Sequence, residues 1–101
     1  MITTYIPKHT LISYNRNKHG DPTGVLVAMP WDDNGGFTIG YSQCRKTDKF
    51  NKDMGLRIAI GRAELFNPLS NNIPHNIRKM LPTFIKRCER YYKVKVLPYS
   101  N

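Results

Sequence analysis

The feature that most constrains this chain is an apolar stripe near its end. Ile77, Met80, Leu81, Phe84, Ile85, Cys88 and Tyr92 recur at helical spacing. Lys79, Thr83, Lys86, Arg87, Arg90 and Lys93 fall on the opposite face. A helix divided this way draws most of its stability from laying the apolar side on another layer. Pro74 suits the first turn of such a helix. Pro82 lies inside the pattern and predicts either a kink or a later start.

The first half of the chain supplies that layer. Thr10-Leu11-Ile12-Ser13-Tyr14 is β-prone and ends at the turn formers Asn15 to Pro22. Gly24-Val25-Leu26-Val27-Ala28-Met29 reads as a buried strand halted by Pro30. Asp32-Asp33-Asn34-Gly35-Gly36 is a turn, because Asn-Gly and Gly-Gly readily supply positive φ. Phe37 to Ser42 then alternates, with Phe37, Ile39 and Tyr41 on one face and Thr38 and Ser42 on the other. Together these runs make an antiparallel meander.

Between meander and stripe lies a second helical candidate, from Lys49 to about Phe66, with Thr47 or Asp48 as its cap. Leu56, Ala59, Ile60, Ala63 and Phe66 fit helical spacing, but Leu56, Ile58 and Ile60 also fit period two, so a strand is the alternative there. Val94 and Val96 alternate around Lys95 and could add an edge strand. The expected fold is α+β: a small antiparallel three- to four-stranded sheet covered by two helices, both over one face. Residues 1–101 form one expected domain, with 1–44 mainly β, 45–92 mainly helical and basic, and 93–101 a possible edge strand and tail.

Composition narrows the function classes. Of 101 residues, 40% are hydrophobic, too many for a purely disordered chain. No run approaches the roughly 20 apolar residues of a membrane span. Met1 to Tyr5 has no basic region followed by an apolar one, so no signal peptide is expected. Cys44 and Cys88 are too few for a disulfide scaffold, and His9, His19 and His75 are isolated, so no zinc site is expected. Arg45 and Lys46 beside Cys44 could activate its thiol, but no oxyanion or nucleophile-elbow pattern accompanies it. The glycines form neither a Walker nor a dinucleotide pattern. No enzymatic activity and no cofactor are expected.

Charge is the strongest functional signal. Sixteen Lys and Arg oppose seven Asp and Glu, a net of +9. Residues 1–44 are neutral, residues 45–62 carry +4 and residues 78–95 carry +6, with Glu89 the sole acid in the last segment. Such asymmetry points to an anionic partner met by one region of the fold. A basic helical stripe can neutralise successive phosphates, and Tyr14, Trp31, Tyr91 and Tyr99 are candidates for stacking on unpaired bases. The RNP motif, the KH loop and zinc-finger spacing are missing, so phosphate contact is expected more than base reading.

The stretch Gly40 to Ala63 follows the skeleton GYSxCxxxDxFxKxxGxxIAxGRA. It resembles a motif in small uncharacterised bacteriophage proteins and covers about a quarter of the chain. The resemblance implies a phage product acting in the cytoplasm of an infected bacterium, and no active site. Read physically, the motif joins a strand to a helix. Asp48 caps the helix and pairs with Lys52, Phe50 sits under the first turn, and Gly55, Ala59 and Ala63 keep one helix side thin. The expected function is that of an accessory protein binding DNA or RNA. Its contacts would be Arg45, Lys46, Lys49, Lys52, Arg57 and Arg62 from the junction and Lys79, Lys86, Arg87, Arg90 and Lys93 from the last helix. The alternative is an inhibitor that docks the same cationic face on an acidic host protein, such as a defence nuclease or the transcription machinery.

Overall fold

Three strands, β1 (Leu11–Arg16), β2 (Pro22–Trp31) and β3 (Gly36–Gln43), precede two helices, α1 (Lys52–Glu64) and α2 (His75–Tyr92), in a computed structural model of the chain that describes residues 5–31, 36–44, 49–64 and 73–93. The strands form an antiparallel meander in the order β1-β2-β3. The fold is a small α+β architecture, as the patterning predicts. The expected turn at 32–35 and the possible strand at 94–96 lie outside the described residues, although Trp31 pairs with Gly36 across the second hairpin.

The first hairpin is organised by Asn17. Its side-chain oxygen accepts from the backbone N–H of His19 at 2.9 Å and of Asp21 at 3.1 Å. Gly20 takes a φ of +88°, which a side chain would resist. The second strand runs through Pro30 to Trp31 rather than stopping at Met29. β1 begins pairing only opposite Ala28, so among the described strands the stretch carrying Pro30 has β3 alone beside it. A proline is tolerated where the ladder narrows in this way.

The helices do not share a face. Leu26 and Ala28 of β2 join Phe37, Ile39, Ile77, Leu81, Phe84 and Cys88 in one buried cluster beneath α2. Val25 and Val27 join Leu56, Ala59, Ile60 and Ala63 in another beneath α1. The expectation of two helices over one face is therefore corrected to a three-layer arrangement with the sheet in the middle. The reason lies in β2, where Val25, Leu26, Val27 and Ala28 are all fully buried. Successive side chains point to opposite faces, so an unbroken apolar run needs a cover on each.

Contact between α1 and the sheet is close. Gly40 faces the helix, and a Cβ there would overlap the Ala59 carbonyl oxygen and stand 2.8 Å from the Ala63 nitrogen. Thr38 and Ser42 flank Gly40 on the same face and donate their hydroxyls to the Ala63 and Gly55 carbonyls, at 3.1 and 2.9 Å. The period-two alternative for Leu56, Ile58 and Ile60 fails, because Ile58 is 41% exposed while its two neighbours are buried. The cap is Asn51, whose side chain accepts from the Met54 N–H at 3.0 Å. Lys49 precedes the helix, and Thr47 and Asp48 lie outside the described residues. Phe50 packs under the first turn as the motif implies, its ring filling the space that a Cβ at Gly55 would take.

The whole expected apolar stripe of α2 meets the sheet. Pro74 immediately precedes the helix, which continues unbroken through the exposed Pro82. Lys93 closes it in the left-handed conformation, its N–H donating to the Glu89 carbonyl at 2.8 Å. At that end the Tyr92 hydroxyl donates toward the carbonyls of Ala28, at 3.0 Å, and His9. Burial pushes the Cys88 thiol from 9.0 up to about 12 and also raises the Tyr92 phenol.

Two outcomes follow from this packing. Gly40→Ala should cost about 3 kcal/mol by overpacking against backbone. Gly61→Ala, with nothing within 4 Å of the new methyl, should gain about 1 kcal/mol of helix propensity; urea unfolding of both variants checks the pair. Cys88 holds its proton more tightly folded than unfolded, so its contribution is fully present below pH 9 and is lost as pH rises toward 12. Urea midpoints measured from pH 7 to 11 should therefore fall above pH 9, and less steeply in Cys88→Ala.

Candidate anion-binding site

The side-chain bonds of β3 set the direction of α1. Ser42 meets Gly55 near the helix start and Thr38 meets Ala63 near its end, so α1 runs antiparallel to β3. On the other face, Ile77 lies against Gly24 while Tyr92 reaches Ala28. Both helix N-termini thus arrive at one end of the sheet, where β1 and β3 finish and β2 begins. The positive ends of two helix dipoles point to the same place.

A cleft of about 1010 Å³ opens at that end. The first hairpin forms one wall, the approach to α1 another and the first turn of α2 a third. Its cations are Arg16, Lys49, Lys52 and Lys79, with Asp21 as the acid among the described lining residues. Asn15, Asn17, Gln43, Phe50 and Asn76 also line it. Arg16 is held in place by donating to the Gly20 carbonyl at 2.9 Å. The Lys52 ammonium lies 5.2 Å from the centre of the Tyr14 ring, which itself meets Phe50 edge-on. The first turn of α2 has no acidic residue and no side-chain cap. Its N–H groups therefore add to the positive field.

The remaining expected contacts separate into two groups. Lys79, Lys86, Arg90 and Lys93 form an exposed ridge along the outer side of α2, about 21 Å long at 1.5 Å per residue. None of these four has a carboxylate partner among the described residues. Lys79 belongs to both features, so the cleft continues into the ridge. The other arginines are engaged within the fold. Arg57 pairs with Asp53 at 3.2 Å. Arg62 donates to the Tyr41 carbonyl on β3 at 2.8 Å and lies 5.0 Å over the Tyr41 ring. Arg87 donates to the Ile12 carbonyl on β1 at 3.4 Å. Arg62 and Arg87 thus each hold a carbonyl on an outer strand, where unpaired backbone would otherwise face solvent. Arg45 and Lys46 lie outside the described residues.

The expectation of one cationic face is therefore corrected. Arg57 and Arg62 project from the α1 side of the sheet, and Lys86, Arg90 and Lys93 from the α2 side. Patterning misses Arg16, Gln43 and Asn76. Arg16 sits in the electrically neutral half of the chain, and only the hairpin brings it beside Lys49 and Lys52. Among the stacking candidates, Tyr91 is exposed beside His9, and Tyr14 is half-buried against α1 with its phenol raised by burial. Tyr99 and the Trp31 side chain lie outside the described residues.

Compared with protein-family models, with curated proteins and with solved structures, the chain matches none. Among the described residues no His, Cys, Asp and Glu side chains gather as a metal site, and no helix is long and apolar enough to cross a membrane. Cys88 is buried and Cys44 half-buried, both as free thiols.

Proposed function

We propose that this protein binds nucleic acid through its phosphates, along a track that starts in the cleft and continues on the outer side of α2. The observation that carries this reading is the continuity of the track. Arg16, Lys49 and Lys52 line the cleft, Lys79 bridges, and Lys86, Arg90 and Lys93 follow on the ridge. The ridge cations spend no charge on partners within the described fold. A flexible polyanion is the ligand such a line of cations serves best, because each neutralised phosphate releases counterions and adds affinity without base recognition. The phage resemblance of residues 40–63 fits an accessory role of this kind, with the motif itself serving to join α1 to β3.

Binding to labelled single-stranded DNA, duplex DNA and RNA across a salt series tests the proposal. The logarithm of affinity should fall linearly with the logarithm of salt, with a slope of about 0.7 to 0.9 per phosphate contacted. Lys86→Glu combined with Arg90→Glu should weaken binding at least tenfold and reduce the slope by about 2. Arg62→Ala, on the other side of the sheet, should leave both unchanged. Absence of binding at 50 mM salt, or indifference to the ridge substitutions, would overturn the assignment.

A further inference from the structure

Tyr91 serves neither the core nor the phosphate track, yet the fold holds it in place. Tyr5 and Tyr91 are the exposed tyrosines among the described residues, at 79% and 52%, and Tyr91 is the one on the cationic helix. A hydrogen bond of 3.3 Å joins its hydroxyl to His9 Nδ1, and its ring meets that of Tyr92 edge to face at 5.1 Å. Both supports are themselves fixed. Tyr92 packs on Phe37, with 5.2 Å between ring centres, and donates its hydroxyl toward the Ala28 carbonyl. His9 takes a φ of +62°, uncommon for a residue with a side chain, and its carbonyl also receives the Tyr92 hydroxyl. The core thus positions an aromatic side chain and leaves half of it open.

The position of Tyr91 relative to the cations is set by helix geometry. Arg90 precedes it by one residue and Lys93 follows by two, so it stands level with the end of the ridge. One residue turns the helix by about 100°, which places Tyr91 on the flank next to Arg90. Arg87, one turn earlier on that flank, reaches the Ile12 carbonyl of β1, so this flank faces β1 and the segment that carries His9. A strand whose phosphates lie along Lys86, Arg90 and Lys93 passes directly beside the ring.

We infer that Tyr91 is a stacking platform for one unpaired base, and that it makes the protein select single strands over duplex. This rests on the reading of the track as a nucleic-acid surface and names the substrate class of that track. Cations along a helix neutralise the phosphates of a strand and of a duplex alike. A stacking ring discriminates, because a base offers its face only when it is unpaired and turned out of its stack. Stacking on an aromatic side chain raises affinity roughly 5- to 150-fold per base, and every base has such a face, so no sequence is read. A ring already held by His9 and Tyr92 loses little freedom when a base lands on it.

Fluorescence anisotropy of the full chain at 50 mM salt tests the platform with three probes of equal length: a thymidine strand, an abasic strand and a duplex. The unmodified protein should bind the thymidine strand at least fivefold tighter than the abasic strand, which carries the same phosphates. Tyr91→Leu keeps bulk against Tyr92 but has no π face. It should bring the thymidine strand down to the abasic level and leave the abasic strand and the duplex within twofold of their original affinities. The salt slope should stay the same, since no cation is lost. Tyr91→Phe, which keeps the ring, should bind the thymidine strand within twofold of the unmodified protein. The same gain with a uridine strand assigns the platform to both nucleic acids, and a gain confined to thymidine or to uridine assigns it to DNA or to RNA. Equal binding of thymidine and abasic strands, indifference of the thymidine strand to Tyr91→Leu, or an equal loss with the duplex would overturn the inference. Salt-dependent binding that still responds to Lys86→Glu with Arg90→Glu would, in that event, leave the phosphate track standing. Failure of all three probes to bind would overturn both.

Discussion

Everything in this fold depends on burying the second strand from both sides. Val25, Leu26, Val27 and Ala28 have no exposure, and their side chains alternate between the two faces of the sheet. A single covering layer would leave half of them in water, at about 25 cal/mol for each Å² of apolar surface. The chain meets this constraint with one helix per face. On the α1 face the backbone approaches the sheet across Gly40, leaving no room for a methyl group. On the α2 face larger side chains, Phe37, Leu81 and Phe84 among them, fill the gap.

The same constraint shapes the charged surface. Helices on opposite faces present their outer sides in opposite directions, so the cations of α1 and α2 cannot form one patch. What they share is an end. Both helices start where β1 and β3 finish, and that end gathers lysines from both helical regions and an arginine from the first hairpin. The fold thus turns two divided basic segments into a cleft with one basic extension. It also gives the outlying arginines a local use, since Arg62 and Arg87 bond carbonyls of the outer strands from opposite sides.

Much of the architecture is legible in the residues. The stripe from Ile77 to Tyr92 predicts the face of α2 that meets the sheet, and the alternation from Phe37 to Ser42 predicts which side chains of β3 share a face. The thin side of α1 at Gly55, Ala59 and Ala63 is legible for the same reason: local periodicity is enough to read it. Two features are not. The apolar run at Val25 to Ala28 reads as buried, but choosing a face for each helix requires following its two sets of side chains separately. The cleft depends on residues far apart in the chain, and Arg16 and Gln43 show no local pattern that would pair them with Lys52 or Lys79. The cap moved from Thr47 or Asp48 to Asn51 because all three residue types suit the position, and the packing of Phe50 beneath Gly55 selects the start.

The proposed anion-facing surface is the cleft and the outer side of α2, and the outer side of α1 takes no part in it. Chemical-shift mapping of backbone amides during titration with a short single-stranded oligonucleotide tests this most directly. Fast, salt-sensitive shifts should be confined to His9, the first hairpin, residues 49–54 and the outer side of α2, with Arg57, Ile58 and Arg62 unmoved. Shifts centred on Arg57 and Arg62, or spread evenly over both helices, would contradict it.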